Sequence, residues 1–146
     1  MPSMTDAIIS INPRHAENIL AKKKTVELRT RGINLPIGSR LWIYTTLPIG
    51  KIKAYAEIDF IEHGTPTEIW RKHERRICIS KREFDDYTST RNLVTAIGLK
   101  NISPLKNEIC LGELRKCESN FHPPQFYSKL HPERALYSVL HQRDKR

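Results

Sequence analysis

Residues 8–31, IISINPRHAENILAKKKTVELRTR, set a strand, a helix and a second strand around the densest basic cluster of the chain. Ile8, Ile9 and Ile11 form a short apolar run with strand preference, and Asn12-Pro13 breaks it. Asn12 suits an N-cap, and Pro13, which has no N–H to donate, suits the first helical position. Ala16, Ile19 and Leu20 then recur at i, i+3, i+4, with Arg14, Glu17, Asn18 and Lys22 turned to water, so the spacing predicts a short amphipathic helix. Lys22, Lys23 and Lys24 close it where the helix dipole favours cations. Thr25 to Arg29 follows with period two, Val26 and Leu28 on one face and Thr25, Glu27 and Arg29 on the other. That polar row beside the lysines is the candidate site. Its plainer reading is a half-buried strand whose outer face is solvated, with Glu27 and Arg29 forming a weak surface pair.

The chain has 25 Lys and Arg against 16 Asp and Glu, a formal charge of +9, and this predicts a polyanionic partner, with nucleic acid first. The charge is polarised along the sequence. Residues 22–40 hold Lys22, Lys23, Lys24, Arg29, Arg31 and Arg40 against the single acid Glu27, whereas residues 57–68 hold Glu57, Asp59, Glu62 and Glu68 with no Lys or Arg. At 146 residues the length matches one ordinary domain, expected over 1–146 with a core at about 8–140. No apolar run is long enough to cross a bilayer, and MPSMTDAIIS lacks the charged and apolar regions of a secretory signal. With three cysteines that cannot all pair within the chain, the expected setting is a reducing cytoplasm.

Further along, the apolar and aromatic residues 40–46 suit a central strand, in which Trp42 reads as core packing and Tyr44 as a candidate for stacking on a base. Residues 51–61 alternate throughout and predict a long strand with one wet face, as in a sheet that bends into a barrel. Thr65-Pro66-Thr67-Glu68 and Ser80-Lys81-Arg82-Glu83 are capping boxes, the second followed by the apolar pair Phe84 and Tyr87. Residues 92–99 read as a strand, and Ile109 and Leu111 as an edge continuation. Pro123-Pro124 and Pro132 each introduce a short helix packed on the sheet. Helices are thus expected near 13–22, 66–73, 81–87 and 132–140. Cys78, Cys110 and Cys117 show no metal-binding spacing, and the six histidines form no pair on one helix face, so neither a metal nor a cofactor is expected. No phosphate-binding glycine loop, dinucleotide fingerprint or nucleophile elbow occurs.

In this order, I-S-I-N-P, I-L-A-K-K-K-T-V-E-L-R, G-S-R-L-W-I-Y, I-S-K-R-E-F-D-D-Y and Pro-Pro-Gln, the chain resembles the ASCH family of the PUA-like superfamily over about residues 8–130. The resemblance implies an α+β fold: a PUA-like bent β-barrel of five to six mostly antiparallel strands with short flanking helices. It also implies a cleft beside the motif for RNA or a modified nucleotide. Lys24, Glu27 and Arg29 match the motif's lysine, acid and arginine, and Lys22 stands where the family has glycine. Some relatives in that family are amidohydrolases acting on N4-acetylcytidine through a lysine, a threonine three residues on and a later glutamate. Here those positions hold Lys24, Glu27 and either Glu74 or Glu83.

Two functions follow. The favoured one is a nucleic-acid-binding module, RNA before DNA, using Lys22, Lys23, Lys24, Glu27, Arg29, Arg31, Arg40 and Tyr44. The alternative is a hydrolase acting on a modified nucleoside or on RNA, with Lys24 and Glu27 catalytic. A lysine beside a carboxylate is held charged unless burial prevails, and Glu27 supplies no hydroxyl nucleophile, so no turnover of N4-acetylcytidine is expected.

Overall fold

The structure, a computed structural model, describes residues 5–144. Its elements run β1 (Asp6–Ile11), α1 (Pro13–Leu20), β2 (Val26–Arg29), β3 (Arg40–Thr45), β4 (Lys51–Gly64), α2 (Pro66–Ile77), α3 (Lys81–Thr88), β5 (Val94–Cys110), α4 (Leu111–Cys117), β6 (Tyr127–Lys129) and α5 (Ala135–Asp144). The strands form one six-stranded sheet in the order β2-β5-β4-β3-β1-β6, curled into a half-barrel. Among the described residues the β1–β3 pair alone is parallel. That is the α+β, PUA-like architecture the sequence resemblance implies.

Period-two alternation in the central strands feeds two cores at once. Ala7, Ile9 and Ile11 of β1 join Leu41 and Ile43 of β3 on one face, beneath α1 with its Ala16 and Ile19. Ile8, Trp42 and Tyr44 point the other way, into a core closed by Leu114, Leu136 and Leu140 of α4 and α5. Both faces of β1 and β3 are therefore covered, which explains their uninterrupted apolar runs. A third core joins Val26, Leu28, Val94 and Ala96 to Ile69, Ile77 and Phe84 of α2 and α3.

The curl is made by β4 and β5, whose pairing shifts register between Ile52 and Ala54, Tyr55 and Glu57, and Ile58 and Phe60. Such bulges add twist and bend a long ribbon. At the last of them Phe60 lies across Gly98, where any Cβ would come within 2.1 Å of the ring, so only glycine fits.

Most cap signals act as read. The Asn12 side chain accepts from His15 N at 3.0 Å, and Thr65 and Glu68 form the reciprocal box at the start of α2. Ser80 caps α3, but Glu83 does not return to it, because its carboxylate is drawn to Arg14 of α1. Three expectations need correction. The segment after Pro123-Pro124 is not a helix: residues 127–129 pair antiparallel with Ile9–Ala7, satisfying the open edge of β1. Leu111 begins α4 rather than continuing a strand, with Glu113 at the third position accepting from Cys110 N. And β5 does not stop near 99. It passes through Asn101, at φ +52°, and Pro104, because β2 pairs only with Thr95–Gly98 and the later part of β5 is an edge that tolerates proline. The last helix starts three residues later than expected, at Ala135.

Candidate nucleotide-binding site

The turn that leaves α1 decides where the lysines go. Lys22 occupies the left-handed region at φ +61°, the conformation for which the family uses glycine, so the turn keeps its geometry without the residue that makes it easy. The amides of Lys23 and Lys24 then both bond to Asn18 O, at 2.9 and 3.0 Å. The three lysines consequently separate: Lys22 and Lys23 stay exposed, while Lys24 turns inward and is 2% exposed.

The inner end of Lys24 meets the C-terminus of α2. Its Nζ donates to Ile77 O at 2.7 Å, and next door Thr25 N donates to Arg76 O at 2.9 Å, so two orphan carbonyls of the helix are satisfied by this strap. Nζ also lies 3.6 Å from Glu27 Oε1. Glu27, 5% exposed, accepts from Arg29 Nε at 2.9 Å and lies 2.7 Å from Arg29 Nη2, which in turn donates to Ser10 O at 2.8 Å. The guanidinium rests 4.7 Å from the centre of the Phe126 ring. The polar row of β2 is thus a buried ion cluster and not a solvated strand face.

Above the cluster opens a cavity of about 540 Å³, which is in the usual range for a small-molecule site. Lys24, Glu27 and Arg29 lie in its lining with Ser10, His15 and Glu83. Burial pushes the Lys24 ammonium below its ordinary pKa, and this outweighs the opposing pull of Glu27. Of the two opposing influences on Lys24 that the sequence suggested, burial is therefore the larger and Glu27 the smaller. Burial, reinforced by the nearby Lys24 charge, also lowers His15. Of the two glutamates that sequence left open, Glu83 lines this cavity, its pKa held below the ordinary carboxylate value chiefly by Arg14, while Glu74 lines a separate hollow between α2 and α3.

Five candidates lie outside the cavity lining: Lys22 and Lys23 are exposed, Arg31 lines a neighbouring hollow, and Tyr44 and Arg40 belong to other parts of the fold. Tyr44 is 1% exposed inside the core beneath α4 and α5, so it has no free face on which a base could stack. Arg40 lies 4.1 Å over the Tyr55 ring and 3.7 Å from Asp144, and it lines none of the cavity. Trp42 is core, as expected, and donates to Asp6 at 2.8 Å. Arg29 is committed to Glu27 and Ser10, so it organises the site more than it offers a free fork. Sequence reasoning missed Ser10, His15 and Tyr87. Ser10 Oγ and His15 Nδ1 are buried without a hydrogen-bond partner, and Tyr87, 45% exposed, supplies at the cavity the aromatic ring that Tyr44 cannot. The available signals were the alternation that sets Ser10 between Ile9 and Ile11, and the i, i+3 spacing of His15 from the N-cap.

A curled mixed sheet with a polar cavity over a Lys-x-x-Glu-x-Arg strand defines an ASCH-type domain of the PUA-like class. This chain belongs to the ASCH domain family: residues 5–117 match the family described as Domain of unknown function (DUF365), and the chain is 34% identical over 134 residues to an ASCH domain-containing ribonuclease of Zymomonas mobilis subsp. mobilis. That alignment spans 91% of this chain and 89% of the relative. The crystal structure of ASCH from Zymomonas mobilis superposes with a TM-score of 0.86 at 31% identity, covering 92% of this chain and 94% of that one. Human THYN1, in complex with 5-methylcytosine containing DNA, is similar in fold alone, with a TM-score of 0.56 at 13% identity over 97% of this chain and 99% of that one. Among the described residues no helix is long and apolar enough to cross a membrane.

Proposed function

We propose that this protein binds single-stranded RNA, seating one nucleotide over Lys24, Glu27 and Arg29, and that it cleaves the RNA it holds. The observation that carries the reading is a buried lysine–glutamate–arginine cluster under a nucleotide-sized cavity in a strongly basic chain. The unpartnered Ser10 Oγ and His15 Nδ1 supply hydrogen bonds to a base edge or ribose, and Tyr87 supplies a stacking face. Exposed Lys22 and Lys23 attract the phosphates from outside.

Cleavage is favoured by the ribonuclease at 34% identity and by a lysine that burial drives toward its neutral form. A neutral amine at Lys24 can take the proton of the ribose 2′-hydroxyl. The 2′-oxygen then bonds to the adjacent phosphorus, the bond from phosphorus to the 5′-oxygen breaks, and water returns a proton to that oxygen, leaving a 2′,3′-cyclic phosphate and a 5′-hydroxyl. Hydrolysis of N4-acetylcytidine is not expected, because Glu27 stands where a hydroxyl would be required.

Both parts are tested by binding and cleavage of a labelled single-stranded RNA, with the same sequence as DNA for comparison. Affinity should fall steeply with salt, and the Lys22→Ala/Lys23→Ala variant should flatten the slope of log K against log salt by about one to two units. Lys24→Met should retain the fold and lose cleavage. RNA that neither binds nor is cut would refute the reading, and intact binding without cutting would leave the binding half alone standing.

A further inference from the structure

A second hollow, about 680 Å³ and more open, adjoins the first, and the two share Gln125. Phe126, which carries the Arg29 guanidinium on its ring, lines the second hollow, so the Arg29–Phe126 stack stands at the partition between them. The two differ in charge. The first sets Lys24 and Arg29 beside two acids, Glu27 and Glu83, so it carries no net excess of positive charge. The second is lined by Arg31 and Lys129 and by no acid. Both are exposed, and neither side chain has a hydrogen-bond or ion-pair partner among the described residues, whereas Arg14, Arg29, Arg40, Arg134 and Arg143 are each engaged by a carboxylate. The hollow is also built on fixed backbone: residues 127–129 pair with β1, and Tyr127 Oη accepts from Asn34 N at 3.0 Å, tying that strand to the loop beyond Arg31.

We propose that the second hollow is the subsite for the neighbouring nucleotide, in which Arg31 and Lys129 hold its phosphate while the first cavity holds an uncharged base and ribose. This rests on the RNA-binding reading and deepens it: the ligand is an oligonucleotide that crosses at Gln125, not a free nucleoside. Two unpaired cations around an acid-free hollow favour a dianion or a phosphodiester over a neutral group, and a cavity with as many acids as basic side chains favours the neutral portion of the same chain.

The test compares a nucleoside with a tetramer of 2′-O-methyl RNA, which cleavage through a 2′-hydroxyl cannot consume. Affinities are measured for the wild type, for Arg31→Ala/Lys129→Ala and for Lys24→Met. The tetramer should bind the wild type more tightly than the nucleoside does. The double variant should lose that advantage, with a salt slope shallower by about 1.4 units for two lost phosphate contacts, and should bind the nucleoside as before. If the double variant binds the tetramer like the wild type while Lys24→Met does not, the chain leaves the first cavity by another path and the subsite is refuted with RNA binding intact. Equal loss for nucleoside and tetramer would also refute it, because the two hollows would not act separately. Absence of binding to the wild type would overturn the RNA reading and the subsite with it.

Discussion

Two buried polar clusters lie at opposite ends of β1, and they are built to different standards. At its start, Asp6 is 3% exposed and its Oδ2 lies 2.8 Å from both Trp42 Nε1 and His141 Nε2, with α5 closing over it. At its end, Ser10 borders the Lys24–Glu27–Arg29 cluster, where burial lowers the pKa of a lysine, a hydroxyl and a ring nitrogen lack partners, and a cavity stands open. A closed, satisfied cluster locks one element onto another. An open cluster with polar atoms left over carries a cost that a ligand can relieve. The difference separates the part of the molecule that holds the fold from the part that we propose binds RNA.

The largest effect should come from Glu27→Ala, which leaves the part-buried Arg29 guanidinium and the buried Lys24 without their acid. A loss of about 3–5 kcal/mol in urea unfolding is expected, together with loss of RNA affinity. A stable, RNA-binding Glu27→Ala protein would show that the open cluster is not an ion cluster in solution. Asp6→Ala should cost less, about 1–3 kcal/mol, by stranding the Trp42 indole N–H. Its RNA affinity should match the wild type, and a parallel loss of binding would erase the distinction between the two ends.

Acid should act most strongly on the closed end, although the pKa of Glu83 at the open end is depressed as well. Arg143 holds the Glu113 carboxyl down to about 2, against an ordinary 4.5, and Arg134 lowers Glu118, so both helices of that end are clamped by ionised carboxylates. A folded pKa below the unfolded one means that the contribution is complete above about 4.5 and is lost as pH falls toward about 2. The urea midpoint should fall through that window, and Arg143→Ala should flatten the fall. Alkali should act on the open end with the opposite benefit: because the Lys24 pKa is depressed from 10.5, the unfolded chain binds the extra proton and stability rises with pH toward that value. The smallest effect belongs to Lys22→Gly, which should raise stability by up to about 1 kcal/mol by relieving the left-handed backbone, read as a modest rise in Tm.

Much of the fold was legible because its signals are local. Asn12-Pro13, the Thr65 box and the Ser80 cap lie within a turn of the helices they start, and the alternation of residues 51–61 needs no partner to be seen. What escaped depends on distant chain. Lys24 is buried because α2 ends against it, 53 residues later, and nothing in three consecutive lysines says that one turns inward. Residues 127–129 form a strand because β1 has an open edge, which outweighs the helix-like spacing after Pro123-Pro124. Arg40 ends the basic stretch that holds Lys24 and Tyr44 follows it, yet β3 turns Tyr44 into the other core and sets Arg40 against Tyr55 and Asp144, away from the cavity.

The central claim is that RNA enters the open end and leaves the closed end untouched. Mapping backbone amide shifts during titration with the 2′-O-methyl tetramer tests it most directly. The account predicts that the perturbed amides cluster at Ser10, His15, Lys24, Arg29, Tyr87 and Gln125, with Asp6, Trp42 and His141 still. Shifts centred on Arg40, Tyr55 and Asp144 would contradict it.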